Sequence, residues 1–179
     1  MPIDLPLATD RLRLRLHRPD DLEPLFAIYA DPGVVRFLLH EPWTREDARE
    51  HLDKRVERVG LGSPARALAL VIERDGLVVG DLALWLTGES EQLAEIGWML
   101  SPECAGQGLA AEAAAALIDA ALVDGLRRIE AQMDARNDAS ARLCERLGMT
   151  REAHLRQNWW SKGEWTDTLV FGLLATDPR

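Results

Sequence analysis

The chain has 179 residues, 47% of them hydrophobic, with 21 basic against 30 acidic side chains and a net charge of −9; that length supports one substantial core, so a single domain over residues 1–179 is expected. The acidic balance, with its positive charges scattered, argues against a nucleic-acid binder and favours cationic partners. No apolar run approaches the roughly 20 residues of a membrane span, and Met1-Pro2-Ile3-Asp4 does not open a signal segment, so a cytoplasmic protein without a membrane partner is expected. Cys104 and Cys144 stand outside any CxxC pattern and the four histidines make no ligand pair at helical spacing, which argues for reduced thiols and no metal.

Along the chain, Arg11 to Leu16 alternates charged and apolar residues, the pattern of a strand with one buried face. Leu22, Leu25, Phe26 and Tyr29 recur at helical spacing until Asp31-Pro32-Gly33. A second helix is predicted from Thr44, where Thr44 and Asp47 make a capping box, through Ala48, Leu52, Val56 and Val59 to Gly60. The two helices should form a hairpin. Strand-like runs at 67–73 and 78–86 flank the turn Arg74-Asp75-Gly76, and a third, at 94–100, follows the polar stretch 88–91, giving an antiparallel meander. Beyond it come an Ala-rich helix from Gly106-Gln107-Gly108 to Val123, a strand at 128–133, a helix at 139–147 and a hairpin of 150–157 with 166–174.

This order predicts a mixed α/β sheet, mostly antiparallel and of about seven strands, with helices on both faces. The strand ending at Leu100, the Ala-rich helix and the strand from Arg128 form one βαβ unit, so those two strands should be parallel. The Gly-rich turn then sits at the carboxyl end of the first, where its backbone N–H groups and the helix dipole can meet an anion. A plain structural turn has the same residues. A dinucleotide site would want a third glycine, where Ala111 stands, and no Lys-Ser/Thr follows for a nucleotide-triphosphate loop.

Four segments taken together, Glu95-Ile96-Gly97-Trp98-Met99-Leu100-Ser101-Pro102, Gly106-Gln107-Gly108-Leu109-Ala110-Ala111-Glu112-Ala113, Asn137-Asp138-Ala139-Ser140 and Arg146-Leu147-Gly148-Met149, resemble the GNAT acetyltransferase superfamily. Thr9-Asp10-Arg11-Leu12-Arg13-Leu14-Arg15, with Gly163 and Asp167, resembles its ribosomal-protein N-terminal acetyltransferase (RimJ/RimL-like) branch. The resemblance implies acetyl-CoA as co-substrate, its pyrophosphate on the Q/R-x-x-G-x-G/A turn. That pattern falls on residues 103–108, with Glu103 at its first position and Cys104 and Ala105 where aromatics are usual. Cofactor contacts are thereby expected at Gly106, Gln107, Gly108, Leu109, Ala110 and Asn137, and along the backbone of Trp98, Met99 and Leu100, where the strand should splay from its parallel neighbour.

Amine acetylation needs a base for the amine, a donor for the oxyanion and an acid for the departing thiolate. The tyrosine that serves as acid in many family members is replaced here by Cys144, and the one tyrosine is Tyr29, in the first helix. The resemblance moves the role to Ser140. Asn137 and Ser140 would serve equally as caps of the following helix, and Cys144 as a small buried hydrophobe. Glu95 is the candidate base, and Trp43, Trp159, Trp160 and Trp165 either line an acceptor pocket or simply pack. No acid occurs between Ala153 and Gly163. The expected function is transfer of acetyl to a primary amine, foremost the α-amine of a basic protein N-terminus. A polyamine, an aminoglycoside or a similar small amine is the alternative, as is a non-catalytic acyl-CoA-binding module. A homodimer is an open option.

Overall fold

A computed structural model describes residues 3–178. Met1 and Pro2, part of the stretch read as lacking a signal segment, lie outside the described residues, as does Arg179. The strands are β1 (Leu7–Ala8), β2 (Arg13–Leu16), β3 (Val59–Gly60), β4 (Ala67–Arg74), β5 (Leu77–Leu86), β6 (Leu93–Leu100), β7 (Arg128–Asp134), β8 (Thr150–Ser161) and β9 (Glu164–Leu174). They form one open sheet in the order β1-β2-β4-β5-β6-β7-β9-β8, with β3 paired to β4. Every neighbour is antiparallel except β6 and β7, the parallel pair that the βαβ spacing requires.

Helices α1 (Leu22–Tyr29) and α2 (Arg45–Val56) cover one face, α3 (Leu109–Val123) and α4 (Asp138–Arg146) the other. The larger core joins Leu14, Leu70, Leu84, Ile129 and Phe171 of the sheet to Leu117 and Ile118 of α3. A second core holds Leu25, Ile28, Val35, Trp43 and Leu52 around α1 and α2. Each such leucine, taken from water to full burial, contributes about 1.5–3 kcal/mol. Among the described residues no helix is long and apolar enough to cross a membrane.

The sheet has nine strands among the described residues where about seven were expected. Two of them, β1 and β3, are two residues long, too short to show any periodicity. β3 also corrects the second helix, which starts in the reciprocal Thr44–Asp47 cap but ends at Val56. β2 pairs only with residues 70–73 of β4, and Val59–Gly60 takes up the places opposite Leu68 and Ala67. Two residues of backbone pairing there displace half a turn of exposed helix. The last hairpin is longer than expected, because Lys162 and Gly163, at φ 50° and 83°, turn the chain in two residues.

Alternation in β2 predicted a solvated Arg15, yet this residue is buried. Its guanidinium donates to both carboxylate oxygens of Asp21, at 2.9 and 2.8 Å, and to Glu73 at 2.7 Å. A charge can leave water when its hydrogen bonds are replaced in this way.

Candidate active site

The parallel ladder between β6 and β7 runs from Leu93–Arg128 to Glu95–Glu130 and stops. β6 continues to Leu100 and β7 to Asp134, so the two strands part beyond Glu95. Ala94, Ile96, Trp98 and Leu100 pack on the α3/α4 side and Met99 on the α1/α2 side, so Glu95, at Met99's parity, faces away from Trp98.

At the carboxyl end of β6 the chain makes a short turn at Pro102–Cys104 and then enters α3 through Gly106 and Gly108, at φ 74° and 77°. A β-carbon on Gly106 would meet nothing within 4 Å, and one on Gly108 only Arg11 Nη2 at 3.7 Å. The backbone is thus open to a ligand at both glycines, as a pyrophosphate cradle requires. Leu109 opens α3, so its N–H has no carbonyl within the helix to meet and faces the turn, while its side chain is buried in the core and Ala110 beside it is half-buried. Cys104 packs against the core.

Two cations missed by motif inspection stand at this turn. Arg11 donates from Nη1 to the Gln107 carbonyl at 3.0 Å and from Nε to Glu112 at 2.7 Å. Arg74, at the end of β4, donates to the Gln107 side-chain oxygen at 2.7 Å, while the Gln107 amide donates to the Glu103 carbonyl at 3.0 Å. Both arginines are remote in sequence, so only the fold brings them here.

Asn137 caps α4, its Oδ1 accepting from Ser140 N at 3.1 Å. Ser140 Oγ also accepts from the Trp98 indole N–H at 3.4 Å, joining two separate motifs. Cys144, one turn on, is buried, and desolvation pushes its thiol up to about 12. Tyr29 is buried as well and donates to Asp81 at 2.7 Å, with its phenol pushed far up by burial first and Asp81 second. Burial thus moves both groups away from titration near neutrality.

Glu95 is half-buried opposite Trp85 of β5 and Glu130 of β7. Burial, reinforced by the charge of Glu130 and opposed by a Trp85 hydrogen bond, raises its carboxyl to about 7. The Trp85 ring also lies over Gly97, where a β-carbon would come within 3.2 Å of it. Arg128 of β7 bridges Glu130 on its own strand at 3.1 Å and Glu152 of β8 at 2.6 Å. Trp85 was legible in principle, since a hairpin folded about residue 90 sets it against Glu95.

The tryptophans divide. Trp43 is buried between Tyr29 and His51, with ring centroids at 3.9 and 4.5 Å, and so belongs to the second core and not to a pocket wall. Trp159, Trp160 and Trp165 are exposed on the β8–β9 hairpin, the last two edge-on at 5.5 Å. The tip of that hairpin meets the α1–α2 loop, where Lys162 Nζ donates to the Val35 carbonyl at 2.7 Å. Asp167 accepts from Gln157 N at 2.8 Å and bonds His154 at 2.7 Å, holding the irregular stretch of β8 in place.

A family model described as "Acetyltransferase (GNAT) domain" matches residues 11–150. An uncharacterised N-acetyltransferase p20 of Bacillus licheniformis is 28% identical over 172 residues, 96% of this chain and 97% of that protein. The crystal structure of a GNAT-family acetyltransferase from Bacillus anthracis superposes with a TM-score of 0.85 at 26% identity, covering 99% of this chain and 100% of that one. RimL, a ribosomal L7/L12 alpha-N-protein acetyltransferase solved with coenzyme A, has a TM-score of 0.83 at 20% identity, covering 97% and 98%, a likeness of fold. With its open glycine turn, its parted parallel strands and a family match over most of its length, the chain belongs to the GNAT acetyltransferases and is an acetyl-CoA-dependent N-acetyltransferase.

Proposed function

We propose that the acceptor is an α-amine, foremost a basic protein or peptide N-terminus, with Glu95 as base and Ser140 as acid. The observation that carries this is the end of the β6–β7 ladder. Glu95 stands on its last rung, and Ser140 is bonded to Trp98, three residues further along β6. Acetyl-CoA supplies an activated carbonyl and a thiol leaving group. Gly106, Gln107, Gly108, Leu109 and Ala110 hold its pyrophosphate, and the backbone of Trp98, Met99 and Leu100 bonds the pantetheine arm as a missing strand would. The cap on α4 uses Asn137 Oδ1, leaving the amide N–H₂ to donate to that arm. Glu95 receives the proton that the acceptor nitrogen loses, and Ser140 Oγ delivers one to the departing sulfur.

The acceptor follows from the base. With a carboxyl near 7, Glu95 can deprotonate a weakly basic amine far more readily than a lysine. A lysine side chain of pKa about 10.4 needs roughly 4.6 kcal/mol for deprotonation at pH 7, whereas an α-amine near 7.7 to 8.0 needs only about 1.0 to 1.4. The resemblance of residues 9–15 to the RimJ/RimL-like branch supports the same acceptor, and in this chain Thr9 and Arg11 of that segment both bond Glu112 near the start of α3.

The test uses one basic peptide in two forms, one with a blocked N-terminus and free lysines, the other with a free N-terminus and blocked lysines. Faster acetylation of the second is expected in a free-thiol assay. Faster acetylation of the first overturns the preference, and reaction only with polyamines or aminoglycosides assigns a small-molecule acceptor. In the same assay Glu95→Gln lowers kcat by about 100- to 10,000-fold.

A further inference from the structure

The polarity of the Trp98–Ser140 contact decides where the Ser140 proton points. An indole N–H is a donor only, whereas a serine hydroxyl has one proton to give and lone pairs to accept with. At 3.4 Å the Trp98 N–H therefore occupies a lone pair of Ser140 Oγ, and the hydroxyl proton must leave in another direction. A serine in a helix usually returns that proton to the carbonyl three or four residues earlier. Here those residues are Asn137 and Arg136, and among the described residues Ser140 Oγ donates to neither carbonyl, the Asn137 carbonyl accepting instead from Ala141 N at 3.1 Å. The Ser140 N–H is taken as well, by Asn137 Oδ1. Trp98 is anchored on the stretch of β6 that has parted from β7, its side chain packed against the larger core.

We infer that Trp98 is a positioning residue, whose indole N–H holds the Ser140 hydroxyl with its proton turned toward the gap between β6 and β7. The inference rests on Ser140 being the acid, and it gives the Trp98 side chain a role separate from that of its backbone. The long contact makes the expected effect modest. Trp98→Phe keeps an aromatic ring and removes the donor, and benzothienyl-alanine at position 98 keeps the whole ring shape with sulfur in place of N–H.

Each variant is combined with Ser140→Ala in a double-mutant cycle on kcat, with the KM for acetyl-CoA followed in parallel. Both Trp98 variants should lower kcat by about threefold to tenfold, leave the KM for acetyl-CoA within about twofold, and cause no further loss in the Ser140→Ala background. If Ser140→Ala is slow but the benzothienyl variant matches wild type, or if its loss multiplies undiminished with that of Ser140→Ala, Trp98 acts by packing alone and the inference fails. If Ser140→Ala itself leaves kcat unchanged, the acid assignment falls and the positioning role falls with it.

Discussion

Two polar regions flank the middle of the sheet, and they differ in how completely their groups are paired. Beneath α1 and α2, Asp81 accepts from Tyr29 and from Arg55 at 2.7 Å each, and Arg55 reaches the Tyr29 hydroxyl at 3.0 Å. The same guanidinium lies over the Tyr29 and Trp43 rings at 5.1 and 5.0 Å. Here the Tyr29 phenol, by burial first, and the Arg55 guanidinium, against burial and by its Asp81 partner, are both pushed up, away from neutrality. At the end of the β6–β7 ladder, half-buried Glu95 faces a second acid, Glu130, and its carboxyl rises to about 7. A buried polar group that is fully partnered stabilises one structure; one left between protonation states can move a proton. The only tyrosine is in the first region, which explains why this chain cannot use it as an acid.

Removing a partner from the Tyr29–Asp81–Arg55 cluster should have the largest effect. Asp81→Ala strands the Arg55 charge and should cost about 3–5 kcal/mol of unfolding free energy in denaturant titrations. A loss under about 1 kcal/mol would mean that Arg55 finds water.

His17 comes next. It is buried beside Asp81, at 3.9 Å, and desolvation, the largest influence, lowers its pKa to about 4 from 6.5. The unfolded chain takes up this proton first as pH falls, so the stability contributed by neutral His17 is intact above about 6.5 and lost on the way to about 4. The amount is on the order of 3 kcal/mol. His17→Gln should flatten the stability profile over that window relative to wild type, and parallel profiles would remove His17 from the explanation.

In the second region, Gly108→Leu should weaken acetyl-CoA binding at least about 100-fold by calorimetry. Its side chain enters the open cradle, and φ 77° adds only about 1–2 kcal/mol of backbone strain to the fold. Unchanged affinity would move the pyrophosphate elsewhere. The smallest effect is expected from Glu130→Gln, which removes the like charge beside Glu95 and should shift the acidic limb of kcat/KM to lower pH. A limb that stays in place would leave burial alone to set the Glu95 carboxyl.

What could be read in the residues follows their range of interaction. Thr44 with Asp47, Asp75-Gly76 and the glycines at the head of α3 act within a few positions of themselves, and the helices, turns and parallel pair they specify stand in the structure. Glu95, Trp98, Asn137 and Ser140 could be nominated because their motifs keep a fixed order along the chain. The burial of Arg15 by Asp21 and Glu73, the pairing of Val59–Gly60 with β4, and the enclosure of Trp43 were beyond local pattern. So was the meeting of Arg11 and Arg74 at Gln107.

By itself, then, the sequence determined the order of the longer elements, the βαβ unit and the glycine turn, because backbone freedom, caps and periodicity are properties of neighbouring residues. Tertiary structure alone decided that the ladder ends at Glu95, that burial, and after it Glu130, raises its proton affinity, and that the Trp98 indole meets Ser140. Each of these depends on distances between strands and helices far apart in the chain, and such distances are set only when the sheet twists and its two faces are covered.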